Sequence, residues 1–314
     1  MSIIEKAIGK LERGRKETPQ APAMPRAPEE VPAPASASPI VEQAMAIAAP
    51  VTKEASIPQS APPTQVSSDS SRRSRRIDIN LTRLHELGMV TPDGGRTPIA
   101  EEFRLIKRPL IDKAFNQAAS GANNHGNLVM VTSSLPGEGK TFCAVNLAIS
   151  IAMEMDHTVL LVDADVARPS VPQFLGLKNE AGLMDILLDD KLDLADVMLK
   201  TNIDSLSFLP AGRSHRHATE LLASQNMSRL LDEIARRYPD RIVIFDSPPV
   251  LLTTESRVLA SQMGQIVVVV EAQKTTQHAV KSVLRQLGSS ANVSLLYNKS
   301  RGFTGEEYYG RYYN

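Results

Sequence analysis

Ser133-Ser134-Leu135-Pro136-Gly137-Glu138-Gly139-Lys140-Thr141 is the stretch on which the fold of this chain turns. A short apolar run, Leu128–Thr132, precedes it, and a helical pattern over Lys140–Met155 follows. A glycine-rich turn between a buried strand and a helix N-terminus is the context of a phosphate-binding P-loop. Gly137 and Gly139 let backbone N–H groups approach phosphate oxygens, and the helix N-terminus adds positive potential. Lys140 is placed to reach β- and γ-phosphates, and the Thr141 hydroxyl to bind Mg²⁺. The stretch departs from G-x-x-x-x-G-K-[ST] at its first glycine, which is Ser134 here.

Beyond the loop, apolar runs alternate with helical periodicity. Strands are expected at Leu128–Thr132, Thr158–Val162, Ser205–Leu209, Arg241–Phe245, Gln265–Val270 and Val293–Tyr297. Helices are expected at Lys140–Met155, Gly182–Leu188, Thr219–Arg237, Ser256–Met263 and Thr276–Leu287. Buried strands separated by crossover helices mean an α/β fold with a mainly parallel sheet. Two of these strands end in acids. Val159–Val162 runs into Asp163-Ala164-Asp165, and Ile242–Phe245 into Asp246-Ser247-Pro248-Pro249. Ligands of such folds bind in the crevice outside the carboxyl ends of the strands. One acid there can hold Mg²⁺ and another can take a proton from an attacking hydroxyl. A single Asp after a strand is ordinarily a turn or cap; three motifs in P-loop order make a nucleotide site.

The chain before the loop has a different character. Residues 1–17 read as an amphipathic helix capped by Ser2, with Ile3, Ile4, Ala7, Ile8 and Leu11 on one face. Charge interrupts its apolar residues, unlike a secretory signal, so it suits a partner or a membrane surface. Eleven of the 21 prolines fall between residues 19 and 63, and the first aromatic is Phe103. Residues 18–76 therefore read as a disordered Pro/Ala-rich linker, ending in the solvated cluster Arg72, Arg73, Arg75 and Arg76. Residues 77–120 read as a helical extension. Asn80 caps a helix bearing Leu81, Leu84 and Leu87, and a second helix spans Pro98–Ala119. The latter carries Glu101, Arg104 and Lys107 at spacing three, one charged stripe whose plain alternative is a solvated face.

Composition sets outer limits. The chain of 314 residues balances 35 basic against 35 acidic side chains, which argues against a uniformly basic nucleic-acid coat. Its one cysteine, Cys143, excludes an intramolecular disulfide framework; it is expected to pack, with nearby phosphate-binding charge able to lower its pKa. No apolar run approaches the ~20 residues of a membrane helix. Four of the six tyrosines, Tyr308, Tyr309, Tyr312 and Tyr313, lie within the last seven residues.

From about Glu101 to the C-terminus the chain resembles the bacterial tyrosine kinases of the P-loop class. The resemblance rests on Pro136–Thr141, on Leu160-Leu161-Val162-Asp163-Ala164-Asp165, on Ile244-Phe245-Asp246-Ser247-Pro248-Pro249, on Ala218–Ser224, and on the terminal tyrosines. Ser2–Ala7 and Glu101–Leu110 are similar to the autokinases encoded with exosortase (PEP-CTERM) exopolysaccharide systems. The resemblance implies a P-loop kinase domain over 121–303 and a tyrosine-rich tail over 304–314. It implies ATP bound by Pro136, Gly137, Glu138, Gly139, Lys140, Thr141 and Phe142, with Asn298 at the adenine base. Mg²⁺ is implied at Thr141, Asp163 and Asp246, with Lys140, Asp163, Asp165 and Asp246 catalytic. Asp163 is either proton acceptor or metal organiser. Tyr308, Tyr309, Tyr312 and Tyr313 become phosphoacceptors, reached by a neighbouring subunit of a ring held through Glu101, Arg104 and Lys107. Implied too are a transmembrane co-polymerase as activator and a cytoplasmic place at the inner membrane through that partner.

Two positions depart from the family's pattern. Ala167 stands where relatives carry Arg, with Arg168 following, and Glu255-Ser256 replaces an Asp-Ala pair. Two other functions share the fold. A Min/Par-type spatial-organising ATPase would need a lysine where Leu135 stands, five residues before Lys140. A non-catalytic ATP-sensing partner of a polysaccharide exporter differs from the kinase only in turnover.

Overall fold

A computed structural model describes residues 75–115, 125–238, 240–288 and 292–300. The expected N-terminal helix, most of the linker and the tyrosine tail lie outside the described residues.

All six expected strands form. They are β1 (Leu128–Ser133), β2 (Thr158–Asp163), β4 (Leu206–Leu209), β5 (Arg241–Asp246), β6 (Gln265–Glu271) and β7 (Asn292–Asn298), joined by a two-residue β3 (Leu199–Lys200). The sheet order is β3-β4-β2-β5-β1-β6-β7. Every pairing is parallel except β3 with β4. β1 lies inside the sheet, flanked by β5 and β6, so the P-loop leaves the sheet between the ends of its neighbours.

Alternation along β1 sends Val129 and Val131 to one core and Leu128 and Met130 to the other. The first core takes α2 (Pro98–Phe115) and α3 (Lys140–Ala152), through Phe103, Leu110, Leu147 and Ile151. The second takes α5 (Leu183–Leu188), α8 (Gln225–Arg237), α9 (Thr254–Ala260) and α10 (Gln277–Leu287), through Leu183, Leu231, Leu259 and Val283. From Cys143 to Ala152, every residue of α3 is buried. A helix apolar on all sides needs cover on both, and α2 supplies the outer one. Gln265 ties α2 down: its amide donates to Leu110 O at 3.0 Å and to Gly126 O at 2.7 Å.

The differences from the sequence-based reading are local. Thr219–Arg237 divides into α7 (Ala218–Leu222) and α8, because Ser224 accepts from Met227 N at 3.2 Å and caps a new helix. The expected Asn80 cap is present on α1 (Leu81–Glu86), accepting from Arg83 N at 2.9 Å. Two short helices, α4 (Val171–Leu175) and α6 (Leu194–Val197), and β3 had no periodic signal at such length. Arg75 and Arg76 keep exposed side chains, but their backbone is held against the sheet. Lys200 N donates to Arg75 O at 2.9 Å and Ile77 N to Lys200 O at 2.8 Å, so this segment borders β3. Arg75 also pairs with Glu180.

Candidate nucleotide and metal site

The P-loop turns through two left-handed residues, Gly137 at φ +84° and Gly139 at φ +98°. A side chain at Gly139 would be strained twice, because its Cβ would fall 2.1 Å from Asn298 Nδ2. Beyond it α3 begins at Lys140, placing unpaired N–H groups at the loop. Ser134, at the position of the first glycine, is buried with its hydroxyl unpartnered.

Three strand ends bring the predicted acids to this point. Lys140 Nζ lies 3.0 Å from Asp165 Oδ2 and 3.8 Å from Asp246 Oδ1. Thr141 Oγ1 donates to Asp246 Oδ2 at 2.7 Å and is 2.8 Å from Ser170 Oγ. Asp163 is wholly buried, and its Oδ2 accepts from Ser170 N and Val171 N, both at 3.1 Å. Its other oxygen accepts from Asp165 N at 3.3 Å. Asp163 thus anchors the loop that leads into α4, while Asp165 lines a cavity of about 650 Å³ together with Lys140, Thr141, Ser170 and Pro249. Sequence left two roles open for Asp163; burial puts Asp165, not Asp163, at the cavity wall. Ser170, supplied by an irregular loop, carried no sequence signal.

The site is short of positive charge. Burial, then the Asp246 charge, raises Asp163 to about 8. Burial likewise pushes Asp246 up to about 6, against the pull of Lys140 and the Thr141 hydrogen bond. Burial works against the Lys140 charge, yet Asp246, Asp165 and Asp163 outweigh it and hold its pKa above the ordinary value. Asp246 Oδ1 is buried without a hydrogen-bond partner. Excess buried carboxylate beside a threonine hydroxyl is a donor set that fits Mg²⁺. Among the described residues no three His, Cys, Asp or Glu side chains assemble as a metal cage. Mg²⁺ needs none, since it commonly takes one or two carboxylates and fills its octahedron with water and phosphate.

Other predicted residues take different places. The Glu138 carboxylate turns away from the cavity, accepting from Leu135 N at 2.9 Å and from the Thr275 hydroxyl. Asn298 donates to Glu138 O at 2.9 Å. Phe142 is half-buried against the cavity. Glu255 lies on α9, where it accepts from Thr219 Oγ1 at 2.8 Å. Cys143 is buried, and desolvation, with Asp246 adding, pushes its thiol up to about 12, opposite to the lowering expected from phosphate-binding charge. The charged stripe also changes. Glu101 and Arg104 pair at 2.7 Å at the surface, but Lys107 is buried. Its ammonium reaches Ser150 O and Glu154 Oε1, both at 2.6 Å, and fastens α2 to the end of α3.

Residues 127–295 match the family model described as an AAA domain. The tyrosine-protein kinase YwqD of Bacillus subtilis is 36% identical over 56% of this chain and 70% of its own. EpsB of Ralstonia nicotianae is 33% identical over 63% of this chain, which spans only 25% of EpsB. Among solved structures, the BceF tyrosine kinase domain aligns with a TM-score of 0.54 and 26% identity, covering 63% of this chain and 76% of that domain. Strand order, P-loop, acidic strand ends and these similarities agree: the chain belongs to the AAA-domain P-loop proteins and, among them, to the bacterial tyrosine kinases.

Proposed function

We propose that the chain is an ATP- and Mg²⁺-dependent protein-tyrosine autokinase that phosphorylates Tyr308, Tyr309, Tyr312 and Tyr313 between subunits. The observation that carries this is the convergence of Lys140, Thr141 and Asp165 on one cavity at the ends of β1, β2 and β5, with Asp246 buried behind it against Lys140 and Thr141. Phosphoryl transfer needs positioning and charge neutralisation more than covalent chemistry. The P-loop N–H groups and Lys140 hold the phosphates. Thr141 and Asp246 are the groups that would hold Mg²⁺, with Asp163 keeping the neighbouring loop in place. When bound, the ion neutralises charge on the transferring phosphate. Asp165, at the cavity wall, is the carboxylate able to accept the phenol proton, which leaves a group whose ordinary pKa is about 10. Asn298 flanks the loop from the β7 side, consistent with a place for the base.

A role in exopolysaccharide synthesis or export, with a transmembrane co-polymerase as activator, belongs to the same proposal. No helix among the described residues is long and apolar enough to cross a membrane; the proposal places membrane contact with that partner. Glu101 and Arg104, both still at the surface, are the groups proposed for ring-like self-association. The test compares wild type, Lys140→Ala and the Tyr308/309/312/313→Phe variant after incubation with ATP and Mg²⁺, reading tyrosine phosphate by mass spectrometry. Phosphate on the tail of wild type alone is expected. Signal surviving Lys140→Ala, or an unmodified tail in protein that hydrolyses ATP, rejects the proposal.

A further inference from the structure

Two turns grip the P-loop from the side opposite the acids, and they hold both non-glycine residues with positive φ among the described residues. Gln273, at φ +60°, follows β6; Lys299, at φ +57°, follows β7. Left-handed backbone in residues with a Cβ costs free energy and persists where surrounding structure requires it. What these turns supply is a set of contacts to P-loop carbonyl and carboxylate oxygens from residues outside the cavity lining. Lys299 Nζ donates to Gly137 O at 2.6 Å, and Asn298 Nδ2 donates to Glu138 O at 2.9 Å. Thr275, in the turn after β6, donates through its hydroxyl to the Glu138 carboxylate and accepts from Glu271 N at 3.0 Å. Glu271 Oε2 lies 3.3 Å from Lys299 Nζ, and Ala272 N donates to Asn298 O at 2.8 Å, which joins the two turns.

We propose that Lys299, steered by Glu271, is a positioning residue for nucleotide binding: it holds Gly137 O outward so that the loop's N–H groups stay turned toward phosphate. The inference rests on the nucleotide site proposed above. Each peptide unit carries its carbonyl opposite its N–H, so fixing the carbonyl of Gly137 aims the next N–H, that of Glu138. An ammonium is suited to this because a charge-assisted hydrogen bond is shorter and stronger than a neutral one. Nothing in the sequence motif predicts Lys299, which lies more than 150 positions beyond the loop.

The test uses the full chain and measures Mg-ADP affinity by calorimetry, alongside thermal midpoints without nucleotide. Lys299→Met is expected to weaken ADP binding at least fivefold with the nucleotide-free midpoint unchanged, and Lys299→Arg to restore affinity to within twofold of wild type. Glu271→Gln, which keeps side-chain size, is expected to weaken binding by two- to threefold and stands in should Lys299→Met fold poorly. Lys299→Met with wild-type affinity overturns the proposal, as does failure of Lys299→Arg to restore it. If wild type binds no ADP, the nucleotide site itself is rejected; a binding wild type with an indifferent Lys299 rejects the brace alone.

Discussion

The ammonium of Lys140 sits 3.0 Å from a carboxylate oxygen of Asp165, so the P-loop lysine is engaged by an acid of the same site. Lys140→Met leaves Asp163, Asp165 and Asp246 facing one another without a cation. Nucleotide binding is expected to be lost. The thermal midpoint should fall more at pH 8 than at pH 5.5, because protonation of the raised Asp163 and Asp246 relieves the repulsion at low pH. An equal loss at both pH values would show that Lys140 packs rather than neutralises.

Wild type without nucleotide should lose stability as pH rises from about 5 to 8. Asp163 and Asp246 have folded pKa values of about 8 and about 6, above an ordinary 3.8. Between the unfolded and folded values the native state binds more protons, so raising pH favours unfolding. Mg²⁺ competes with those protons, and its affinity should increase over the same range. Urea midpoints at several pH values, with and without Mg²⁺, check both trends.

Asp246→Asn separates binding from stability. It removes a buried charge whose Oδ1 has no hydrogen-bond partner while keeping an oxygen for the Thr141 hydroxyl. Mg²⁺-dependent nucleotide binding should drop by about two orders of magnitude, in keeping with loss of a ligand or its support. The nucleotide-free midpoint at pH 8 should stay level or rise. Calorimetry and thermal melts report the two effects independently.

Lys107 and Arg104 should behave differently despite their spacing. Lys107→Met breaks a buried contact to Glu154 and Ser150 O and should cost about 2–3 kcal/mol in urea unfolding. Arg104→Ala removes a surface pair with Glu101, worth about 0.3–0.5 kcal/mol. Arg104→Ala should instead shift the assembly mass measured by light scattering, if Arg104 contacts a second subunit.

Cys143 should be inert. Its thiol is buried and raised to about 12, so a thiol reagent at pH 8 should label it only after denaturation. Rapid labelling of the native protein would contradict that burial.

Much of the fold was legible because its signals are local. Runs such as Ile266–Val270, short, apolar and β-branched throughout, read as a buried strand, and the turn around Gly137 and Gly139 carries its conformational requirement in two residues. Asp163, Asp165 and Asp246 could be assigned to the site because a parallel sheet gathers the ends of its strands. Elements of two to five residues, β3, α4 and α6, lacked the length for a period to show.

Sequence alone determined the α/β class, the six longer strands, the P-loop and the acids that meet it, since each follows from patterns spanning only a few residues. Only the tertiary structure decided which acid faces the cavity, because burial of Asp163 depends on backbone N–H groups from Ser170 and Val171. It also took Lys107 off the surface by packing α2 on α3, and brought Lys299 to Gly137 across the sheet. Charge and hydrogen-bonding capacity are written in residue type; whether they meet water, a ligand or another part of the chain depends on distance in space.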